Sequence, residues 1–579
     1  QDESNLPKID NDIPNILNPS DSNVEKGIIR VKLKEEPKGE VAVRSIGNQI
    51  TTGIRALDGP ATVYGITRME RTFPPCGKYE ERTRREGLHL WYDVYISEEV
   101  SATRAADEVA VLEGIDITST VPKIASRSVN YPFDDPYLTR QWNFHNPGTE
   151  SWQVAGADIR LFDVWEKYNG HPDIIISVVD EGVDYSHRDL NANMWINEKE
   201  IPGNGIDDDE NGFVDDVYGF NFYDAVVNED GSMSAPDIYP ESHGTHVAGI
   251  IGAVNNNTMG VAGIAGGNGS RNSGVKIMTC QILKKTLASP NAPAGIKYGA
   301  DNGAVISQNS WGYNNEPIDK PLQEAIDYFV KYAGCDNNGN QLPKSPMKGG
   351  IVIFSAANRN TSDPLWSTPA DYEKVIGVSS IGPDYIKASY SAFGDFIDIS
   401  APGGISSNAT GIYSTSTSGN FMYLYGTSMA SPHVSGVAAL IIQKYGVGKP
   451  GFTASRLQEI LLGSAYEIDS YNPEHAGLLG AGGVNAYKAL YEEIPEFEPF
   501  TLETNIIKDG KITFTVNPDY SGQANIVMYN SMGIKVIDHT FEARKFVPNT
   551  LDISALAPGQ YNFEYTCNGN LIKEKLIKY

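Results

Sequence analysis

Hydrophobic residues follow two different patterns along this chain, and the change between them marks its domains. Near the N-terminus, "GIIRVKLKEE" and "LHLWYDVYI" alternate apolar and polar positions, as strands with one buried face do. "SATRAADEVAVLEGI" has helical spacing and ends near Gly114, and "DITSTVP" follows as a further strand. The pattern predicts a small α+β domain of ferredoxin-like arrangement over residues 26–125, preceded by a flexible polar lead over residues 1–25.

The pattern changes over residues 131–490, where short and fully apolar runs alternate with helical segments. The runs are "DIIISVVD", "GVKIMTCQIL", "GAVISQNSWG", "GIVIFSAAN" and "VIGVSSI". Strands that are apolar on both faces are typical of a parallel sheet covered by helices on both sides. The central domain is therefore predicted to be α/β, with a doubly wound parallel sheet, and residues 125–130 are the predicted joint before it.

The last part of the chain returns to alternation. "EIPEFEPF" (493–500) is an acidic linker broken by proline. After it, "KITFTVNP", "ANIVMYN", "GIKVIDHTF" and "GQYNFEYTC" are short alternating strands separated by turn residues. They predict a small β-sandwich over residues 501–579.

Charge and composition narrow the class of protein. The 579 residues carry a formal net charge of -27, which argues against nucleic acid or an anionic membrane as partner. No apolar run approaches the ~20 residues that span a membrane. The four cysteines lie too far apart for a metal site or a disulfide framework. Because the sequence starts with Gln1, we expect that an export signal has been removed and that the protein is secreted or on the cell surface.

Polar residues at the ends of predicted strands are the first candidates for chemistry. Asp180 directly follows "DIIISVV" and so lies at the carboxyl end of a predicted strand, where α/β sheets usually carry their functional sites. It could equally cap a helix or turn. Asn358 ends "GIVIFSAAN", and its amide is either an oxyanion donor or part of an Asx-turn.

Two predicted helices begin at further candidates. "SHGTHVAGIIGAV" carries His243 and His246, whose i, i+3 spacing with no acid between them argues against zinc. "YGTSMASPHVSGVAALI" places Ser428 where a helix begins, as either an N-cap or a nucleophile near free backbone N–H groups.

Taken together, these positions occur in the order Asp180, His243, Ser428. In this order the blocks "VVDEGVDYSHRDL", "HGTHVAGIIGAV" and "GTSMASPHVSGVAAL" resemble the subtilisin-like serine proteases, over residues 131–490. The resemblance implies that Ser428 is the nucleophile, His243 its general base and Asp180 the residue that orients the imidazole. The Asn358 amide and the Ser428 backbone N–H would hold the oxyanion.

The resemblance also implies protein or peptide substrates and a primary specificity pocket. The pocket would be lined by "SQNSWG", through Ser310, Trp311 and Gly312. An extended peptide would add as a strand beside this segment.

Three residues depart from the family pattern. Glu181 replaces the small hydroxyl residue that usually follows the aspartate, and could raise the pKa of its neighbour. Ala357 replaces the usual glycine before the asparagine, which narrows the predicted pocket floor. Arg359 follows the asparagine, and with Lys284 and Lys285 it suggests the hypothesis that acidic residues are favoured in substrates, against the commoner alternative of solvated bases.

An acidic loop predicts structural calcium. "GNGIDDDENGFVDDVYGFNF" (203–222) opens like an EF-hand, with alternating oxygen donors followed by Gly212. The candidate ligands are Asp207, Asp209, Asn211, Asp215 and Asp216. The family resemblance implies a second calcium site, at Asp135, Asp189 and Asn257. No organic cofactor is expected.

Resemblance also gives roles to the flanking domains. By position and size the first resembles a subtilase propeptide, which implies a zymogen with an intramolecular inhibitor cut near residues 122–130. "IVMYNSMGIKVI…LDISALAPGQYNFEYTCNGNLIKEKLIKY" resembles the C-terminal sorting domains of the Bacteroidetes type IX secretion route, or else forms a retained accessory sandwich.

The sequence thus predicts a secreted or cell-surface serine endopeptidase made as a zymogen. One alternative is a catalytically inactive scaffold that binds peptides in the same cleft. Another is an exopeptidase or a narrow processing enzyme on the same fold. The substrate, the cut site, the cysteine partners and the oligomeric state are not fixed by the sequence.

Overall fold

The computed structural model describes residues 24–47, 49–122, 131–285 and 287–579. The chain divides into two compact units, residues 1–128 and residues 129–579. Apart from its last two residues the predicted lead lies outside the described residues, as does the predicted joint at 125–130.

The first unit is an α+β domain with a four-stranded antiparallel sheet in the order β4-β5-β1-β6. Its strands are β1 (Val24–Leu33), β2 (Arg44–Ile46), β3 (Gln49–Thr51), β4 (Arg68–Arg71), β5 (Trp91–Tyr95) and β6 (Ile115–Pro122). Its helices are α1 (Arg55–Tyr64), α2 (Glu80–Arg85) and α3 (Ala102–Ala110). The predicted helix and strands are present. Two elements were not predicted: α1, which contains Gly59 and Pro60, and β4, whose only apolar residue is Met69.

The second unit is built on an eight-stranded sheet in the order β12-β11-β7-β13-β14-β15-β16, with β8 also paired to β11. All pairs are parallel except β11 with β12, which confirms the predicted parallel sheet. The strands of the central domain are β7 (Ile175–Glu181), β8 (Gly219–Asn221), β9 (Val226–Val227), β10 (Met233–Ser234), β11 (Lys276–Lys284), β12 (Leu287–Ala288), β13 (Ala304–Asn309), β14 (Ile351–Ser355), β15 (Ile376–Ile381), β16 (Ile399–Pro402), β17 (Ile412–Ser416) and β18 (Asn420–Leu424).

Helices cover both faces of this sheet. They are α4 (Ser242–Gly252), α5 (Ala292–Asp301), α6 (Lys320–Tyr332), α7 (Thr427–Tyr445), α8 (Ala454–Gly463) and α9 (Ala486–Tyr491). Ile176 and Val178 of β7 belong to the core shared with α4 and α7, whereas Val179 belongs to the core shared with α5 and α6. Because side chains alternate along a strand, Asp180 points to the side of α4 and α7.

A β-sandwich ends the second unit. Sheets β19-β21-β24 and β20-β26-β25-β22-β23 enclose one core of buried residues, as predicted. Its strands are β19 (Phe500–Leu502), β20 (Ile506–Ile507), β21 (Lys511–Val516), β22 (Gly522–Asn530), β23 (Lys535–Ala543), β24 (Asn549–Asp552), β25 (Gly559–Cys567) and β26 (Asn570–Lys578). The sandwich packs on the central domain through Lys545, whose buried ammonium donates to the carbonyls of Glu373 at 2.6 Å and Val375 at 2.8 Å.

Candidate active site

Asp180 and His243 meet at the carboxyl edge of the parallel sheet. Asp180 is fully buried at the end of β7, and His243 is the second residue of α4. Nδ1 of His243 lies 2.7 Å from Oδ1 of Asp180. Since a carboxylate only accepts, Nδ1 carries the proton, and Nε2 is left free to act as a base.

Ser428 is the second residue of α7, and it is not the helix cap. The N-cap is Gly426, with φ 142° and ψ 165°, a conformation that favours glycine. A Cβ on Gly426 would lie 3.1 Å from Nδ2 of Asn358, so a side chain here would crowd that amide. The Ser428 hydroxyl, half-buried, donates to the Ser310 carbonyl at 3.3 Å.

Asn358 lies just beyond β14 and is fixed by the start of α7. Its Oδ1 accepts from both the backbone N–H and the hydroxyl of Thr427, each at 2.9 Å. Because Oδ1 is used in this way, the two Nδ2 hydrogens remain available to another acceptor, as an oxyanion donor requires.

The predicted specificity segment lies against the same serine. Ser310 donates through its hydroxyl to the Ser428 carbonyl at 2.7 Å. Trp311 packs edge-on against Phe354 of β14, with ring centroids 5.0 Å apart. A Cβ on Gly312 would lie 2.8 Å from the Thr368 carbonyl, so this position keeps the segment close to its neighbour.

Two of the departures from the family pattern change the site. Ala357 has φ 71°, so a methyl group occupies a left-handed position that favours glycine. Glu181 is buried, and its Oε2 accepts the backbone N–H of His243 at 3.3 Å. Burial, followed by the charge of Asp180, raises the pKa of Glu181.

The net effect on His243 is a raised pKa. Burial lowers the pKa of His243, but the Asp180 carboxylate outweighs it through charge and hydrogen bonding, and Glu181 adds to the effect. The resulting pKa is about 9, compared with the ordinary 6.5. Below this pH the imidazole carries a second proton, on Nε2, which must be lost before Nε2 can act as a base.

His243 and His246 do not converge on a common ligand position. His246 lies fully buried with Nε2 3.0 Å from the carbonyl of Ile412, and burial lowers its pKa to about 3. Ligand atoms of Asp180, Glu181 and His243 do lie within 4.8 Å of one another. In this trio the Nδ1 atom is already bonded to Asp180, which favours the catalytic arrangement over a metal site.

The acidic loop brings together some of the predicted calcium ligands. Oxygens of Asp207, Asp209 and Glu200 lie within 4.8 Å of one another and could hold a metal ion. Oδ1 of Asp209 is buried with no hydrogen-bond partner, as expected for an oxygen that faces a cation. Glu200 was not predicted from the sequence; it lies three residues before the loop and accepts the N–H of Asp208 at 2.9 Å.

The other predicted residues of this loop support its shape. Asn211 donates to Asp216 at 2.9 Å, and Asp215 accepts the N–H of Gly205 at 2.9 Å. Asp216 is fully buried and accepts from Tyr298 at 2.6 Å. Burial raises the pKa of Asp216 to about 6.

The second predicted set of calcium ligands is also clustered. Asn257 donates to Asp189 at 2.8 Å through its side chain and to Asp135 at 3.4 Å through its backbone. Burial raises the pKa of Asp135 to about 6 and that of Asp189 to about 7. Buried carboxylates whose pKa is raised by burial are stabilised most by a bound cation, which supplies the opposite charge.

A doubly wound parallel sheet that presents an Asp–His pair and a helix-start serine at its carboxyl edge defines the class of subtilisin-like folds. The comparison with protein families agrees: the Subtilase family model matches residues 171–489, and the model for the N-terminal of that family matches residues 29–148. The chain belongs to the subtilase family.

Individual relatives are similar over part of their length. Subtilisin-like protease 1 of Plasmodium berghei is 30% identical over 58% of this chain and 52% of its own. An extracellular protease of Xanthomonas campestris is 32% identical over 62% of this chain and 56% of its own. The chain thus spans about half the length of these curated relatives. A crystal structure of the Aeromonas sobria serine protease with its chaperone shares the fold, at TM-score 0.50 and 16% identity, over 78% of this chain and 94% of its own.

Proposed function

We propose that this protein is a serine endopeptidase that hydrolyses peptide bonds through Asp180, His243 and Ser428. The observation that carries the proposal is the 2.7 Å contact between His243 Nδ1 and Asp180 Oδ1, beside a serine and an amide on the same sheet edge. This arrangement leaves Nε2 of His243 as the base toward the cleft.

The reaction follows from these positions. Ser428 Oγ attacks the peptide carbonyl carbon while His243 Nε2 takes its proton. The oxyanion receives hydrogen bonds from Asn358 Nδ2 and the Ser428 N–H. His243 then gives the proton to the leaving amine, which leaves an acyl group on Ser428. Water, deprotonated by His243, then attacks the acyl carbon. His243 returns this proton to Ser428 Oγ as the acyl–oxygen bond breaks, which releases the acid product and restores the free enzyme.

The Ser428 hydroxyl must turn toward His243 for this to happen. It donates to the Ser310 carbonyl at 3.3 Å, which is a long and weak contact. A change of rotamer would free it, and catalytic hydrogen bonds often tighten only when substrate is bound. We propose that Ser310, Trp311 and Gly312 then receive the substrate side chain.

The N-terminal domain is proposed to act as an intramolecular inhibitor that is removed on activation. The match of residues 29–148 to the N-terminal model of the family supports this role. A time course of intact mass tests it: the wild type should lose about its first 120 to 130 residues, as the sequence predicts, and Ser428→Ala should stay whole.

Two calcium sites are proposed to stabilise the fold, because carboxylate oxygens of Glu200, Asp207 and Asp209 converge at one, and Asn257 joins the buried Asp135 and Asp189 at the other. Glu200, Asp207 and Asp209 would ligate at the acidic loop, and Asp135 with Asp189 at the other set. A bound cation supplies positive charge among these carboxylates, and it has no part in the peptide chemistry.

An extracellular site of action is proposed as well. The named extracellular protease of Xanthomonas campestris supports it. Across the described residues, no helix is both long and apolar enough to cross a membrane.

Hydrolysis of internally quenched peptides tests the activity. The wild type should cleave within peptides of eight or more residues blocked at both ends, and Ser428→Ala should not. Cleavage confined to unblocked ends would favour an exopeptidase. No cleavage by any preparation freed of its N-terminal domain would favour the inactive scaffold.

A further inference from the structure

We infer that Arg359, stacked on Trp366, forms a cationic rim of the specificity pocket and selects substrates with a carboxylate at P1, the residue whose carbonyl is attacked. The inference rests on the proposed function and names its substrate class.

The position of Arg359 follows from the chain. It directly follows Asn358, the proposed oxyanion donor, and it is exposed. Its guanidinium lies 4.1 Å from the centre of the Trp366 ring, a cation–π contact that holds the side chain in place. A guanidinium held flat in this way loses less conformational freedom when it binds a carboxylate.

Trp366 belongs to a segment that contacts both walls of the proposed pocket. One wall is the segment of residues 310–312, and the other is the chain that leads from β14 to Asn358. On one side the Tyr313 N–H donates to the Thr368 carbonyl at 2.7 Å, just beyond the wall residue Gly312. On the other side the Ser367 hydroxyl donates to the Ala356 carbonyl at 3.1 Å, two residues before Asn358. The Arg359–Trp366 pair therefore lies where both walls of the pocket meet.

Arg359 has no carboxylate partner. Within the described ranges, no Asp or Glu oxygen lies within 4.0 Å of its guanidinium. The nearby Asp363 turns its Oδ1 to the N–H of Leu365 at 3.1 Å. In a chain with a net charge of -27, an arginine left unpaired beside the reacting carbonyl is available to a substrate.

A second cationic side chain lies in the same region. Lys387 is buried, and its Nζ donates to Oδ1 of Asn360, the residue after Arg359, at 2.8 Å. Its other two hydrogen bonds go to backbone carbonyls, at Ala388 and Ser391. Lys387 thus adds a second positive charge near Arg359, and two such charges favour an anionic side chain.

Lys284, one of the two lysines considered with Arg359 from the sequence, does have a carboxylate partner. Its Nζ lies 2.9 Å from Asp224 and packs near the rings of Tyr223 and Tyr239. Its charge is already balanced. Lys284 thus provides a matched control, since its removal also takes away one positive charge near the cleft.

The test uses two quenched peptides that differ only in Glu or Gln at P1, a pair of nearly equal shape. The wild type should show a kcat/KM about tenfold higher for Glu, which corresponds to ~1.4 kcal/mol. Arg359→Gln should bring this ratio close to one, and Arg359→Glu should reverse it and improve cleavage after Lys. Lys284→Gln should leave the ratio unchanged. Raising the salt concentration should reduce the wild-type ratio, because ions screen the pairing.

The result that overturns the inference is a wild-type ratio within twofold of one, or a ratio that Arg359→Gln does not change. Labelling by a fluorophosphonate at the wild-type rate shows that each variant keeps its active site, so a change in ratio is not a folding defect. A wild type that is neither labelled nor able to cleave any peptide would instead remove the proposed function, and this inference with it.

Discussion

Charge around His243 is the residue-scale feature with the clearest consequence for activity. The base must be neutral to act, so kcat/KM should rise with pH as the free enzyme passes its pKa of about 9. Glu181 contributes to that raised pKa through its negative charge.

Glu181→Gln should lower the pKa of His243, since it removes a nearby negative charge but keeps a group of similar size. The acidic limb of the pH profile of kcat/KM should move to lower pH, by roughly half a unit to one unit. Glu474→Gln, an exposed acid elsewhere, is the control. An unchanged limb in Glu181→Gln would contradict this electrostatic role.

Asn358→Ala tests the oxyanion donor. The substitution removes Nδ2 together with the two hydrogen bonds from Thr427. We expect kcat to fall about 100- to 1000-fold while KM changes little, because the amide stabilises the transition state more than the bound substrate. A fall smaller than about fivefold would show that Asn358 does not serve this role.

Some features of the site could be predicted from local sequence blocks, and others depend on residues that meet only in the folded chain. Asp180, His243 and Ser428 were predicted because each lies within a local block that fixes its strand end or helix start. The pairing of Lys284 with Asp224 was not, because the two residues are 60 positions apart and meet only in the folded chain. The same holds for the stacking of Arg359 on Trp366, which a residue pattern does not encode.

At the scale of elements, the acidic loop brings several carboxylates close together. Their negative charges repel one another unless a cation is bound between them. Asp209 contributes a buried oxygen with no partner. The sequence predicted this loop from its donor spacing but missed Glu200, because that residue reaches the cluster from outside the motif.

Asp209→Asn should reduce the stabilisation by calcium. An ion that binds only the folded state at one hundred times its Kd adds about 2.7 kcal/mol, so chelation should lower the wild-type Tm. The increase in Tm on adding calcium should be smaller in Asp209→Asn than in the wild type, and unchanged in Glu474→Gln, an exposed acid elsewhere. Equal increases in the wild type and Asp209→Asn would show that this oxygen is not a ligand.

Among the secondary-structure elements, the strongly patterned ones were predicted and the weakly patterned ones were not. Strands β7, β11, β13, β14 and β15 are rich in buried apolar residues and were found from the sequence. Helix α1 was missed because glycine and proline are poor helix formers, and its packing in the core of the first unit outweighs their propensity.

At the scale of the whole second unit, a buried lysine of the sandwich forms hydrogen bonds and an ion pair with the central domain. The side chain of Lys545 is 3% exposed, and its Nζ lies 3.3 Å from Asp398. This contact joins the sandwich to the central domain, and the choice between a sorting domain and a retained accessory sandwich stays a prediction. No local pattern marks Lys545, since its partners lie about 150 residues or more away in sequence.

Lys545→Met should weaken this attachment. The substitution leaves Asp398 and two carbonyl groups without their partner, at an expected cost of about 2–3 kcal/mol in the free energy of unfolding. The urea midpoint should fall, and the 493–500 linker should become easier to cut in limited proteolysis. Lys575→Met, at an exposed position of the same sandwich, should behave as the wild type. Identical midpoints for both variants would contradict the fastening role.

The central claim is that Ser428 is the nucleophile of a working protease. The most direct test is to treat the calcium-loaded protein with a fluorophosphonate and locate the modified residue by peptide mass spectrometry. The account predicts a single adduct on Ser428, lost in Ser428→Ala and strongly slowed in His243→Ala. An adduct on another serine, or no adduct after the N-terminal domain has been removed, would contradict it.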